Sequence, residues 1–149
     1  MIDLRAALQS VLLATLVALP GCKMPSAASG SSTMTASLSG ASEVPAVKSD
    51  ASGTVEASLD KKTNVLSWTV TYSGLSGPAT AGHFHGPATA GQNADVVVPL
   101  EGSLASPIKG TATLTAEQAA DLMAGKWYVN LHTAANPKGE IRGQVTGKT

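Results

Sequence analysis

The sequence is poor in cysteine, aromatic residues and net charge, and these shortages exclude several classes of protein. Cys22 is the only cysteine among the 149 residues, so the chain cannot form an internal disulfide. Lys and Arg number 10 and Asp and Glu number 10, without a basic patch, so nucleic acid is a poor partner. Neither a Gly-x-Ser-x-Gly nucleophile motif nor a glycine-rich phosphate loop occurs. Stability must therefore come from packing and from any bound metal.

The first 22 residues are typical of a secretion signal. Arg5 provides a basic start, and residues 6–19 are mostly apolar but too few to span a membrane. The run LPGC at 19–22 resembles a bacterial lipobox, in which Cys22 is acylated and anchors the chain to membrane lipid. We therefore expect a lipid-anchored protein outside the cytoplasm, and Lys23 favours the outer membrane if the host is Gram-negative. The alternative is an ordinary signal peptide and a secreted protein.

The rest of the chain divides into a tether and one domain. Residues 23–33 are rich in Ser, Ala and Gly and predict a flexible tether, whereas residues 34–146 have the length of a single domain. Short runs of Val, Thr, Leu and Trp between Gly, Pro, Asn and Ser clusters predict an all-β fold. We expect strands near residues 35–38, 53–59, 65–72, 80–85, 95–100, 108–114, 127–132 and 140–145.

One short helix is expected at residues 116–124. Thr115 and Gln118 fit a capping box, and Gly125 suits the position just beyond the helix end. The spacing places Ala119, Leu122 and Met123 toward the core.

The three histidines of the chain are the main candidates for chemistry. His83 and His85 lie two residues apart in the run AGHFHGP, so they share one face of a strand. His132 ends the run WYVNLHT on another predicted strand. Three imidazoles around one ion are ligands for copper(II), or for a zinc ion that also holds water for hydrolysis. The alternative to metal binding is a structural role, in which His85 forms a hydrogen bond to a loop and His132 caps a hairpin.

The last predicted hairpin places Arg142 near His132. Matching the apolar faces of its two strands puts Arg142 on the same face as Tyr128, Asn130 and His132. Tyr128 and Asn130 either orient His132 as metal-bound histidines require, or simply face solvent. Arg142 either attracts a small anion to the metal, or is a surface cation paired with Glu140 or Glu43.

Several motifs together resemble the CHRD domain family, which is named after repeats in animal chordin and is common in bacteria. They are SGASEVPA at 39–46, Gly53, AGHFHGP at 81–87, GKWYVNLHT at 125–133 and PKGEIRGQV at 137–145. The resemblance covers nearly all of residues 34–145. It implies an antiparallel β-sandwich of the immunoglobulin or superoxide dismutase type, with one short helix, but no settled function.

The order of the histidines is also similar to that of copper-zinc superoxide dismutases. The resemblance implies that His83, His85 and His132 bind copper and that Arg142 guides superoxide to it. The chain has no further histidine for a bridging or zinc site, so only a copper-only version is compatible with it. The alternatives are a copper storage or delivery protein and a non-catalytic module, with metal absent or merely structural, that binds a protein, matrix or envelope ligand of unknown identity.

Overall fold

The computed structural model describes residues 30–148. The secondary structure of this part is dominated by strands, with one α-helix and one 3₁₀ turn at Gly40–Ser42. The elements are β1 Ser31–Ser39, β2 Ser52–Asp60, β3 Val65–Ser73, β4 Ala79–His85, β5 Val96–Pro99, β6 Ile108–Thr113, α1 Ala116–Met123, β7 Trp127–Thr133 and β8 Ile141–Gly147.

The eight strands form one antiparallel sheet in the order β5-β4-β7-β8-β1-β2-β3-β6. The sheet curls back on itself. This curvature brings Trp68 on β3 edge to face against Phe84 on β4, with ring centroids 5.2 Å apart. This structure confirms the all-β antiparallel fold with one short helix. The two layers expected of a sandwich are the two halves of one continuous sheet.

The core lies inside the curl and follows the alternation of the strands. In β2 and β3, Val55 faces Val70 across the pair and both are fully buried. In β7, Val129 and Leu131 are likewise fully buried, as the sequence pattern predicts. Burying such side chains supplies about 1.5–3 kcal/mol each, which is the main source of stability in a domain without disulfides.

The helix confirms the predicted capping box. The Thr115 hydroxyl accepts a hydrogen bond from the backbone nitrogen of Gln118 at 3.1 Å. The Gln118 side-chain oxygen accepts one from the backbone nitrogen of Thr115 at 2.9 Å. Ala119 and Leu122 are buried, but Met123 is 44% exposed, so its predicted place in the core is wrong. Met123 is the last residue of the helix and comes directly before the C-cap residue Ala124.

The structure also corrects one expectation about the strands. The first strand begins at Ser31, so residues 31–33 pair with β2 and do not belong to a tether. The strand at Val96–Pro99 lies at the edge of the sheet, where Val96 is 50% exposed while Val98 is buried. An outer strand is also the place where Pro99 costs no ladder hydrogen bond.

The predicted signal peptide, the lipid-attachment Cys22 and residues 23–29 lie outside the described residues. Among residues 30–148, no helix has the length and hydropathy needed to span a membrane.

Candidate metal centre

The sheet brings the three histidines together at one end of two neighbouring strands. His83 and His85 share a face of β4, and β7 runs beside β4 with Ala81 opposite His132 and His83 opposite Asn130. The nitrogen atoms that the three imidazoles offer lie within 4.8 Å of one another. His85 is buried, whereas His83 and His132 are partly exposed. The three imidazoles therefore converge, as a shared metal site requires, and a solute can reach them.

Backbone carbonyls set which nitrogen of two histidines is free. His85 Nδ1 lies 3.0 Å from the carbonyl oxygen of Ala94, and His132 Nδ1 lies 3.0 Å from that of Pro137. A carbonyl oxygen only accepts hydrogen bonds, so each Nδ1 carries the proton. Each neutral ring then presents the lone pair of Nε2 to the cluster, as a metal ligand must. The loop contact of His85 and the hairpin contact of His132, expected as an alternative to metal binding, thus also prepare both rings for it.

The cluster contains more hydrogen-bond acceptors than donors. Asn130 Oδ1 lies 3.0 Å from His85 Nε2 and 3.0 Å from His132 Nε2. His83 Nδ1 can donate to His132 Nε2 across 3.1 Å, but no proton remains for Asn130 when all three rings are neutral. Close unpaired acceptors are costly when they are partly buried. A cation, either a proton or a metal ion, removes this conflict.

Burial keeps two of the imidazoles neutral. It lowers the pKa of His83, and the charges of His132 and His85 lower it further. Burial also lowers the pKa of His85, against the hydrogen bonds of Ala94 and Asn130 that favour its protonated form. Of the two cations that would relieve the acceptors, a proton is thereby disfavoured, and neutral imidazole is the form that binds metal.

Tyr128 supports His85 from the neighbouring strand. The two rings are stacked, with centroids 4.7 Å apart and an interplanar angle of 3°. The Tyr128 hydroxyl lies 3.3 Å from the same Ala94 carbonyl oxygen that accepts from His85. Tyr128 and Asn130 are 3% and 4% exposed. The interpretation that they face solvent is therefore wrong, because the segment at 86–95 covers this face of the sheet.

Arg142 fastens that covering segment to the sheet. It is 2% exposed, and its guanidinium donates to the Gln92 carbonyl oxygen and, at 2.8 Å, to Asn93 Oδ1. Its Cζ lies 3.4 Å from the centre of the Tyr128 ring. The interpretation as a surface cation is therefore wrong. Guidance of an anion by Arg142 stays a prediction, and it would act through the field of a buried charge.

Glu43, to which the sequence assigns no chemistry, lies beside the Asn130 amide. Burial raises its pKa to about 7, while the charge of Arg142 acts in the opposite direction. A methyl group at Gly139 would collide with both the Glu43 carboxyl and Asn130 Nδ2. Since φ of Gly139 is also +126°, only glycine suits this position.

Glu140 is a buried anchor rather than a partner of Arg142. It is 1% exposed, and its carboxylate accepts hydrogen bonds from Ser49, Ser76 and Thr133. Burial opposes ionisation, but these hydrogen bonds prevail and lower the pKa of Glu140 to about 2. Alternation places Glu140 on the polar face, yet Ser49 and Ser76 come from distant loops, so sequence spacing alone misses these two partners.

These features define an all-β domain with a three-histidine cluster that is compatible with metal binding. The CHRD domain model matches residues 34–145, so the chain belongs to the CHRD domain family. Comparison with curated proteins and with solved structures gave no match.

Proposed function

We propose that this CHRD domain binds one copper ion through His83, His85 and His132. The observation that carries the proposal is the convergence of neutral ring nitrogens whose tautomers are set by Ala94 and Pro137. Two opposite ligands with bonds of about 2.1 Å lie at most about 4.2 Å apart. If the widest pair, which lies within 4.8 Å, takes opposite positions, its two nitrogens need to approach by no more than about 0.6 Å.

Copper is preferred to zinc on the basis of the ligand type. Imidazole binds both metals, but Cu(II) is bound more tightly in the Irving–Williams order. A lipid anchor on Cys22, which we also propose, would hold the domain outside the cytoplasm on the cell envelope. A protein secreted without the anchor would face the same compartment.

In its enzymatic form, the proposal is superoxide dismutation. Two superoxide anions and two protons would give dioxygen and hydrogen peroxide, and bound copper would supply the one-electron redox chemistry. His83 and His132 are partly exposed, which supports access of a small anion to the cluster. His85, Tyr128 and Ala94 would hold their geometry throughout, because stacking and hydrogen bonds already connect them.

Copper storage or delivery is the second candidate, and the same observations favour it. It needs the three ligands and partial exposure, but no turnover. If the cluster of the folded protein holds no copper, the result supports the non-catalytic binding module.

Metal analysis separates these functions. Full-length protein in detergent is loaded with copper, freed of excess by gel filtration, and assayed for copper per chain. We expect one tightly held ion, lost in His85→Ala and retained in Lys109→Ala, an exposed control on β6. Superoxide turnover by the loaded protein then distinguishes the enzyme from the storage protein. A folded protein that retains no copper would contradict the proposal, and retention of zinc in preference to copper would overturn the choice of metal.

A further inference from the structure

Four atoms of the cluster, and not three, have the spacing of a metal's ligands. Asn130 Oδ1 lies 3.0 Å from His85 Nε2 and 3.0 Å from His132 Nε2, which in turn lies 3.1 Å from His83 Nδ1. Neighbouring ligands of a square-planar ion with bonds of 2.0–2.1 Å are about 2.9 Å apart. The three distances therefore match three consecutive sides of such a square to within about 0.2 Å, with Asn130 Oδ1 at one of the corners.

The position of the Asn130 side chain is held from its other end. Asn130 lies in the middle of β7, opposite His83 on one neighbouring strand and Arg142 on the other. Its Nδ2 points toward Gly139, at a place where an added methyl group would meet both this nitrogen and the Glu43 carboxyl. An amide nitrogen turned to Glu43 leaves the amide oxygen turned to the histidines. The oxygen is thus supplied to the cluster by a buried residue of the sheet, since Asn130 is only 4% exposed.

We propose that Asn130 Oδ1 is the fourth equatorial ligand of the metal, which completes a tetragonal set of three nitrogens and one oxygen. This inference rests on the proposed function and adds a ligand to it. A carbonyl oxygen has two lone pairs and carries no proton, so it can bind a metal without the loss of any hydrogen. Tetragonal nitrogen and oxygen sets are typical of Cu(II) or Ni(II), whereas zinc takes a tetrahedral set.

A fourth protein ligand changes how the site is used. If the fourth corner were water, a small anion could displace it in the ligand plane. With Asn130 in that corner, all four positions of the ligand plane would be taken by protein atoms. Solvent and anions would then reach the metal only from above or below that plane. The set also explains why an amide oxygen faces two imidazole acceptors in the folded protein.

Electron paramagnetic resonance of the Cu(II)-loaded, full-length protein in ¹⁷O-enriched water tests this ligand. We expect no equatorial ¹⁷O coupling in the wild type. In Asn130→Ala, water should enter the vacant corner, equatorial ¹⁷O coupling should appear, and copper affinity should fall about 10- to 100-fold. Asn130→Asp keeps an oxygen at this corner, so it should exclude equatorial water like the wild type. Circular dichroism checks that each variant is folded.

The outcomes distinguish this inference from the proposal it rests on. Equatorial ¹⁷O coupling in the wild type, with the same affinity and spectrum in Asn130→Ala, would overturn the ligand while leaving the three-histidine site intact. Failure of the folded wild type to bind copper would overturn the proposed function itself. If Asn130→Ala does not fold, wild-type coupling alone decides the matter, because the ligand predicts its absence.

Discussion

Replacement of Glu140 by Gln should make the free energy of unfolding less dependent on pH in the acid range. The Glu140 carboxylate accepts hydrogen bonds from Ser49, Ser76 and Thr133, and its pKa falls from 4.5 to about 2. At about 1.36 kcal/mol per pKa unit, the ionised carboxylate contributes up to about 3 kcal/mol. Because the pKa is lowered on folding, this contribution is present above pH 4.5 and is lost as the pH falls toward 2.

The assay is urea unfolding followed by tryptophan fluorescence, since Trp68 and Trp127 are both buried. At pH 7 we expect Glu140→Gln to lower the free energy of unfolding by up to about 3 kcal/mol. The difference between the two proteins should shrink between pH 4.5 and 2 and nearly vanish at the lower end. The exposed control Glu56→Gln should change stability by less than about 0.5 kcal/mol at any pH. A pH-independent difference for Glu140→Gln would refute the reasoning.

Three further predictions concern the core, the Asn130 support and Arg142. Phe84→Ala should cost about 3–5 kcal/mol in urea unfolding, because the fully buried ring packs against Trp68; a loss below 1 kcal/mol would contradict this. Gly139→Ala should lower both stability and copper affinity, since its methyl group would displace Asn130, and unchanged affinity would be inconsistent with that contact. If Arg142 attracts superoxide, Arg142→Lys should retain the ionic-strength dependence of the rate while Arg142→Met flattens it, and equal curves would reject guidance.

The strands and the shared face of His83 and His85 could be predicted because both depend on simple periodicity. Alternation along β4 places His83 and His85 on one side, and matching apolar faces fixes the parity of the β7–β8 register, which puts Asn130 and Arg142 on one face. The capping box similarly depends on two residues three positions apart. The pairing of β4 with β7, which brings His132 to the other two histidines, has no such signal in the sequence.

The covered face of the sheet could not be predicted in this way. Tyr128, Asn130 and Arg142 are polar by pattern, and the pattern alone does not show that the segment at 86–95 folds over them. Arg142 is buried because Gln92 and Asn93, some 50 residues away in the chain, accept its hydrogen bonds. Contacts between distant loops leave no period in the sequence, which is also why the sequence does not predict the contacts of Glu140 with Ser49 and Ser76.

The most direct test of the three-histidine site is a count of imidazole ligands on bound copper. Electron spin echo modulation of the Cu(II)-loaded protein detects the remote nitrogen of each coordinated ring. We expect three rings in the wild type and two in each of His83→Ala and His132→Ala, while His85→Ala should retain no copper after gel filtration. Copper held by folded protein with a ring count that none of these substitutions changes would contradict the three-histidine site.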